Sequence, residues 1–537
     1  MRLSQPSLLL PFFASAVIAQ DAGPEVTLST GTFRGLSTAD GTDRFLGIPF
    51  AQPPVGALRF KAPVKIKGAF KGVRDALEFG NACPQPPTAR TGPIGEDCLV
   101  LNVWRPTNTT SKDRLPVLVW VYGGAFNIGS SSDPGTDGTR IITRSVANGK
   151  PIIFVSINYR VNTFGFLASR FVPVEDLNAG LQDQRASLEF IQENIAQFGG
   201  DPAKVTIWGQ SAGAGSIEAH ILYGDPSKAL FRGAIMDSST GPFKSSPPPR
   251  TYDEPGKPFD RLITAMGCSS GFSAVFCLQQ VPFDILVNFS NTDMMATLNH
   301  QLWQPTVAPG SFAPVRASAR IASGDFLHVP VIMGTNTNEG TSFSTPLLGL
   351  NLTGAAQDEA FDGFIRGSLV DGSTVTDDIL KKIHELYPAN TPQLPFGTGD
   401  SLFDRAGAWY GDNMFLAARR RFVAIASTLQ PVFTYHFREQ IPGNNITLGV
   451  FHASELPLLF GPVPTAEVEQ IFADTYLDFY LSFVNDLTPG REWRQFTPKS
   501  NTILQLKRDN ITVIPDDFRG DKTDFLNMQK ILDEWEK

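Results

Sequence analysis

The 537-residue chain is short of cysteine, of charge and of basic clusters, and each shortage excludes a class of protein. Four cysteines cannot staple a chain of this length, so a disulfide-dense scaffold is excluded, although an even number in two close pairs permits local bridges. Charged residues make up 18%, below the roughly 25% usual for soluble domains, and the formal net charge is −8. Lysine and arginine are scattered without a run, so the phosphate-binding footprint of a nucleic-acid partner is missing. Beyond the N-terminus no segment is long and apolar enough to span a bilayer, and no period of 20 to 50 residues marks a repeat array. Glycine (48) and proline (41), by contrast, are plentiful, and hydrophobic residues reach 42%. That combination describes a loop-rich globular protein with a sizeable core.

The N-terminus runs from Arg2 into the apolar stretch Leu8 to Ile18, with Val17 and Ala19 as small residues ahead of a cut before Gln20. This reads as a secretory signal peptide over residues 1–19, since Pro11 interrupts a run already too short for a membrane anchor. Five Asn-x-Ser/Thr acceptors, at Asn108, Asn288, Asn351, Asn445 and Asn510, fall in polar, turn-like contexts where a glycan would be solvated. Leader, acceptors and cysteine pairs together favour an oxidising, extracellular destination without stable membrane anchoring.

Short apolar runs at Pro116–Tyr122, Ile152–Ile157, Val205–Trp208 and Val329–Met333 read as buried strands. They alternate with helical patterns, the clearest from Asp183 to Phe198, where Leu188, Ile191, Ile195 and Phe198 share one face. Strand, helix, strand in that order implies an α/β fold with a large, mostly parallel sheet flanked by helices. The Pro- and Ser-rich Ser245 to Arg250 resembles a linker, but composition does not change across it, so residues 20–537 read as one domain.

The chemistry is carried by Gly209-Gln210-Ser211-Ala212-Gly213, between the strand Val205–Trp208 and a helical segment. A G-x-S-x-G turn between strand and helix needs small flanking residues because the backbone is strained and neighbours approach closely, and it presents Ser211 above the sheet as a nucleophile. A serine hydroxyl needs an imidazole to take its proton and a carboxylate to orient that imidazole. Of six histidines, His220 lies on the helix that Ser211 opens and cannot curl back, and His384 reads as structural. His300 and His328 precede the best acid, against the order serine, acid, histidine. His436 falls in a strand-like run and His452 in a turn, so the residues leave these two open. Glu339, just past the strand ending at Met333 and Gly334, fits the acid, though an ordinary loop carboxylate would look the same. Backbone N–H groups of Gly124 and Ala125, at the end of Trp120–Tyr122, and of Ala212 would form an oxyanion hole.

Together with Phe45–Ala51, Glu96–Leu99, Asn158-Tyr159-Arg160 and the block from Asn178 through Gly199-Gly200-Asp201-Pro202 to Gly213, these motifs make the chain resemble the type-B carboxylesterase/lipase family of α/β-hydrolases, especially its fungal secreted members. The resemblance covers nearly the whole mature chain. It implies an α/β-hydrolase fold, Ser211 as nucleophile, Glu339 as acid and His452 as base, with bridges Cys83 to Cys98 and Cys268 to Cys277. It implies a small-molecule ester as substrate and no metal or cofactor. Two positions depart from the family: Gln210 stands where many members carry Glu, and Ala125 replaces a third glycine of the oxyanion loop.

The segment between Cys83 and Cys98, where family members build a lid or gorge wall, here runs only from Pro84 to Asp97 and holds four prolines. It is too short for an amphipathic flap and carries no aromatic ring for a quaternary ammonium. Small to medium, soluble or modestly apolar esters, including a lactone or acylated secondary metabolite, are therefore expected ahead of triacylglycerols, cholesterol esters or choline esters. A catalytically silent adhesion or binding member of the fold is the alternative of another class.

Overall fold

A computed structural model describes residues 23–241, 246–395 and 397–536. The leader read at 1–19 lies outside the described residues. Fourteen strands follow in chain order: β1 (Glu25–Leu28), β2 (Gly31–Arg34), β3 (Leu36–Ser37), β4 (Thr42–Pro49), β5 (Val73–Asp75), β6 (Val100–Pro106), β7 (Leu115–Val121), β8 (Ile153–Ile157), β9 (Gly200–Gln210), β10 (Gly233–Asp237), β11 (Val331–Asn336), β12 (Val432–Phe437), β13 (Thr502–Leu506) and β14 (Thr512–Pro515). Strands β1, β2 and β5 form a small sheet. The other eleven form one large sheet in the order β14-β13-β12-β11-β10-β9-β7-β8-β6-β4-β3, with β7 through β13 mutually parallel and both edges antiparallel.

The apolar runs are continuous rather than alternating because the central strands are covered on both faces: β8, β10, β11 and β12 are buried at every residue. Crossover helices Thr139–Ala147, Ala179–Asn194 and Ala212–Leu222 connect β7, β8, β9 and β10. This is the α/β-hydrolase fold anticipated from the sequence. Two boundaries differ from the sequence reading. The helix expected at Asp183 begins at Ala179, after Asn178, whose side chain exchanges hydrogen bonds with the Thr306 backbone at 2.8 and 2.9 Å. Asp183 thus lies in the second turn, a fully buried carboxylate that grips Arg160 through two 2.7 Å contacts. The helix tightens to a 3-10 turn over Ile195–Phe198 and stops at Gly199, φ +92°, so β9 starts at Gly200, earlier than Val205.

Trp120, Trp208 and Phe460 stack beneath the central strands, with Trp208 and Phe460 parallel at 4.8 Å. A second apolar cluster gathers Phe361, Phe364, Trp409, Tyr410 and Phe415 from helices Gly354–Gly367 and Ser401–Gly411 and the turn after the latter. Because β7, β9 and β11 are parallel, the loops leaving their carboxyl ends emerge on one edge of the sheet. Those loops carry Ala125, Ser211 and Glu339.

Candidate active site

Ser211 leaves β9 with φ 60° and ψ −126°, a conformation an L-residue holds only under strain of about 1–3 kcal/mol. Its N–H donates to the Asp237 carbonyl at 2.9 Å, tying the turn to the end of β10. The flanking glycines are required by close packing: a Cβ on Gly209 would lie 2.5 Å from the Gly213 carbonyl carbon, and one on Gly213 would lie 2.1 Å from the Val121 carbonyl oxygen. The helix Ala212–Leu222 therefore presses against the end of β7. Ser211 is not exposed above the sheet as the turn alone suggests; it is 8% accessible, because the loops around it roof the elbow.

Glu339 and His452, 113 residues apart in sequence, meet here: the Nδ1–H of His452 donates to Glu339 Oε2 at 2.6 Å. The other carboxylate oxygen accepts from Ser238 Oγ at 2.5 Å and from the Asn336 N–H at 2.6 Å. Three donors on a 3% accessible carboxylate fix its direction. The imidazole packs against the rings of Phe415, 4.6 Å away, and Phe343, 5.2 Å away, which also touch each other at 5.9 Å. Its free Nε2 faces the elbow, where the partner recorded is the side-chain amide of Gln210 at 3.2 Å; among the described residues Ser211 Oγ makes no hydrogen bond to it. With Nδ1 protonated, Nε2 is an acceptor and Gln210 a donor.

A buried polar layer backs the carboxylate. Asp237 accepts from Trp208 Nε1, Tyr435 and Tyr480, and burial pushes its carboxyl up to about 6 against the pull of those donors. Glu455, bonded to Asn336 Nδ2 at 2.5 Å, is pushed up to about 8, first by burial and then by the charges of Asp237 and Glu339. Burial thus favours the protonated form of Glu455.

The loop Gly123-Gly124-Ala125 follows β7. Gly124 has φ +115° and would clash with the Ile128 carbonyl if it bore a side chain, while Ala125 accepts φ +54°. Its carbonyls are held away by Asn127 Nδ2, which donates to Ala125 O at 2.6 Å, and by the N–H groups of Asn127 and Ile128, which donate to Gly124 O. Tyr122 and Tyr159 stack at 4.3 Å and exchange hydrogen bonds with each other's carbonyls at 2.6 and 2.8 Å. That brace gives Asn158-Tyr159-Arg160 a purpose the sequence did not: Tyr159 supports the end of β7 at Tyr122, and Arg160 is clamped by Asp183. Gln210, Phe343 and Phe415 were likewise not singled out as neighbours of the imidazole, because no local pattern ties them to it.

Two spaces flank the serine. A cavity of about 990 Å³ is bordered by Gly123, Gly124, Gln210 and His452, with Gln85 and Arg90 from the Cys83–Cys98 loop on its wall. That loop contains no helix, as its prolines imply, and Gln85 pins it to Gly129 by two hydrogen bonds of 2.7 and 2.8 Å. A far smaller space of about 30 Å³ borders Ser211 itself.

The remaining histidines have other partners. His220 bonds Gln184, His436 bonds Thr337, His328 bonds the Gly324 carbonyl, and His384 sits between Asp358 and Asp362. His300 borders the large cavity but does not contact Glu339. Both disulfides, Cys83–Cys98 and Cys268–Cys277, are formed. Asn108, Asn288, Asn351, Asn445 and Asn510 are all exposed, although Asn288 lies within the helix Phe283–Met295 rather than in a turn. No described helix is long and apolar enough to cross a membrane, and no described cluster of His, Cys, Asp and Glu could hold a metal ion.

Comparison with known proteins decides the family. The sequence profile of the Carboxylesterase family matches residues 22–525. The chain belongs to the carboxylesterase family. It is 34% identical to Lipase 2 of Diutina rugosa, over 93% of this chain and 95% of that protein. It is 31% identical to the para-nitrobenzyl esterase of Bacillus subtilis, over 90% and 94%. The crystal structure of Aspergillus niger EstA superposes with a TM-score of 0.82 at 28% identity, covering 96% of this chain and 99% of that one. As a member of this family the protein is a carboxylic ester hydrolase.

Proposed function

We propose that this carboxylesterase is a secreted serine hydrolase of small to medium esters, working through an acyl-enzyme on Ser211. The observation that carries the reading is the 2.6 Å contact between Glu339 and His452 beside the strained serine. In the first half-reaction Ser211 Oγ attacks the ester carbonyl while His452 Nε2 takes its proton, and the Gln210 amide gives way as the hydroxyl turns toward Nε2. Glu339 holds the tautomer and stabilises the imidazolium. The oxyanion is received by the N–H groups of Gly124, Ala125 and Ala212. His452 then protonates the leaving alcohol, and water activated by the same imidazole releases the acid. Secretion is supported by the leader-like N-terminus, the two bridges, the exposed acceptor asparagines and the similarity to Secreted lipase 1 of Botryotinia fuckeliana, 33% identical over 94% of this chain.

A second reading, triacylglycerol hydrolysis, is favoured by the lipases among the relatives. The helix-free Cys83–Cys98 loop argues against it, since no amphipathic flap there can open at a lipid surface. A rate jump when a long-chain ester passes from solution to emulsion would restore it.

The triad is tested with a fluorophosphonate probe followed by peptide mass spectrometry, where the adduct is expected on Ser211. Ser211→Ala abolishes the adduct and lowers turnover by about 10⁴- to 10⁶-fold. Near-normal turnover of short acyl esters in that variant rules the scheme out.

A further inference from the structure

One stretch of chain touches both Glu339 and His452. The helix Ser401–Gly411 lies against the loop that carries Glu339: a Cβ on Gly340 would fall 2.1 Å from the Gly407 carbonyl oxygen, and one on Gly411 would fall 3.4 Å from the Glu339 Cβ. Backbones this close leave the loop no room to shift toward the helix. The chain then widens into a π-helical turn, Asp412–Leu416, before the helix Ala417–Ala426 begins. Phe415 on that turn packs its ring on the His452 imidazole at 4.6 Å. Glu339 is thus braced by one part of the segment and His452 by the next, with Asp412 at the junction.

π turns are rare inside helices and frequent at functional sites. This one is fixed at its first residue. Asp412, 3% accessible, accepts from the Tyr387 hydroxyl at 2.8 Å and from Nε of Arg519, 107 residues further along the chain, at 2.6 and 2.8 Å. Arg519 also donates through Nη1 to the Gln393 carbonyl, so the guanidinium is itself tethered. Glu339, Asp412 and Arg519 border one space of about 10 Å³, room for a single water. The ion pair therefore stands directly behind the carboxylate that meets His452. Arg105 offers a matched contrast: it is equally buried and holds Asp43 at 3.1 Å and the Phe198 carbonyl at 3.2 Å. It lies at the opposite edge of the sheet, because β6 runs antiparallel to β8 and Trp104 pairs with Phe154 near the start of that strand.

We propose that Arg519 is a positioning residue for the Glu339–His452 pair. By clamping Asp412 it fixes the π turn, and the turn holds the imidazole toward Glu339 through Phe415 while the preceding helix holds the Glu339 loop. This rests on the triad reading above. Loss of the clamp leaves a buried carboxylate without its cation, which the fold relieves by moving Asp412 or by protonating it, and either response loosens the turn. Lysine is no substitute, since an ammonium has no planar fork to serve both Asp412 and the Gln393 carbonyl. The loss is then one of alignment and falls on kcat.

The experiment compares Arg519→Lys with Arg105→Lys, measuring melting temperature and steady-state kinetics on p-nitrophenyl butyrate well below both melting points. Because a misplacement of about 1 Å costs up to about 10²-fold in rate, Arg519→Lys is expected to lower kcat by about 10- to 100-fold with KM within about twofold of wild type. Arg105→Lys is expected to keep kcat within about twofold whatever it loses in melting temperature. A wild-type kcat in folded Arg519→Lys overturns the proposal. So does a loss carried by KM, or an equal fall in kcat in both variants, which would mark general loosening. If Arg519→Lys does not fold, Tyr387→Phe decides, since it removes only one hydroxyl bond to Asp412: a fall in kcat of about threefold or more at unchanged KM upholds the clamp, and an unchanged kcat overturns it. Fluorophosphonate labelling separates the two readings. An adduct on Ser211 with Arg519→Lys as fast as wild type sinks this inference alone, whereas no adduct and no turnover of any ester by wild type sink the triad reading.

Discussion

Ser211 and the Glu339–His452 pair are held by different physics. Around Ser211 the constraint is steric and local: Gly209, Gly213 and Gly123 bring backbones so close that an added Cβ would fall 2.5, 2.1 and 2.6 Å from a neighbouring carbonyl atom. Around His452 the constraint is polar and distant. Glu339 gathers donors from Ser238, Asn336 and His452, and the aromatic faces of Phe343 and Phe415 fix the ring. A steric elbow tolerates almost no change at its glycines, whereas a polar cradle can be altered atom by atom and still fold. The first region should therefore fail by unfolding and the second by losing rate.

The sharpest cut into the polar arm is Glu339→Gln. The amide keeps the shape but loses the charge and no longer fixes the protonated Nδ1, so kcat should fall by about 10⁴-fold while the melting temperature moves little. A kcat within tenfold of wild type would mean that the carboxylate does not orient the imidazole. In the steric arm, Gly213→Ala sets a methyl against the Val121 carbonyl at the end of β7, and it should cost about 3 kcal/mol or more of stability. Chemical denaturation measures this directly; a wild-type midpoint would show that the helix can back away from the strand.

Gln210→Glu gives the smallest expected effect and touches the seam between the two arms. It replaces a donor to His452 Nε2 with an anionic acceptor, which favours the charged imidazole. The groups facing that ring are Glu339 across Nδ1, Gln210 at Nε2 and the rings of Phe343 and Phe415, with Glu455 and Asp237 behind Glu339. Because the reaction needs the uncharged base, the acid limb of the kcat/KM profile should move upward, with activity lost sooner as pH falls. An acid limb that stays in place would mean that Gln210 does not touch the working imidazole.

Legibility followed the same division. The elbow and the parallel sheet were readable because each depends on residues adjacent in sequence. Gly209 to Gly213 needs only a strand before it and a helix after it, and a strand buried on both faces announces itself as an unbroken apolar run. The choice between His436 and His452 was not readable from spacing, because both follow or occupy the same strand region, and the resemblance to a family had to decide it. The structure gives the physical difference: the His436 ring turns to Thr337, while His452 turns to Glu339. Asn288 and Asp183 were misplaced for a related reason. A polar residue marks a turn or a solvated helix end only when no tertiary partner claims its position, and Arg160 claims Asp183.

By itself the sequence determined the architecture, the tight turn at Ser211 and the class of chemistry, because turn sterics, hydrophobic runs and glycine at points of close approach are local demands that local residues must meet. Only the tertiary structure decided which imidazole meets Glu339, that Gln210 rests on Nε2, and that a π turn from another part of the chain packs on the His452 ring. Those outcomes depend on where distant loops come to lie, and burial and hydrogen-bond satisfaction across the folded molecule settle that, not the residues on either side.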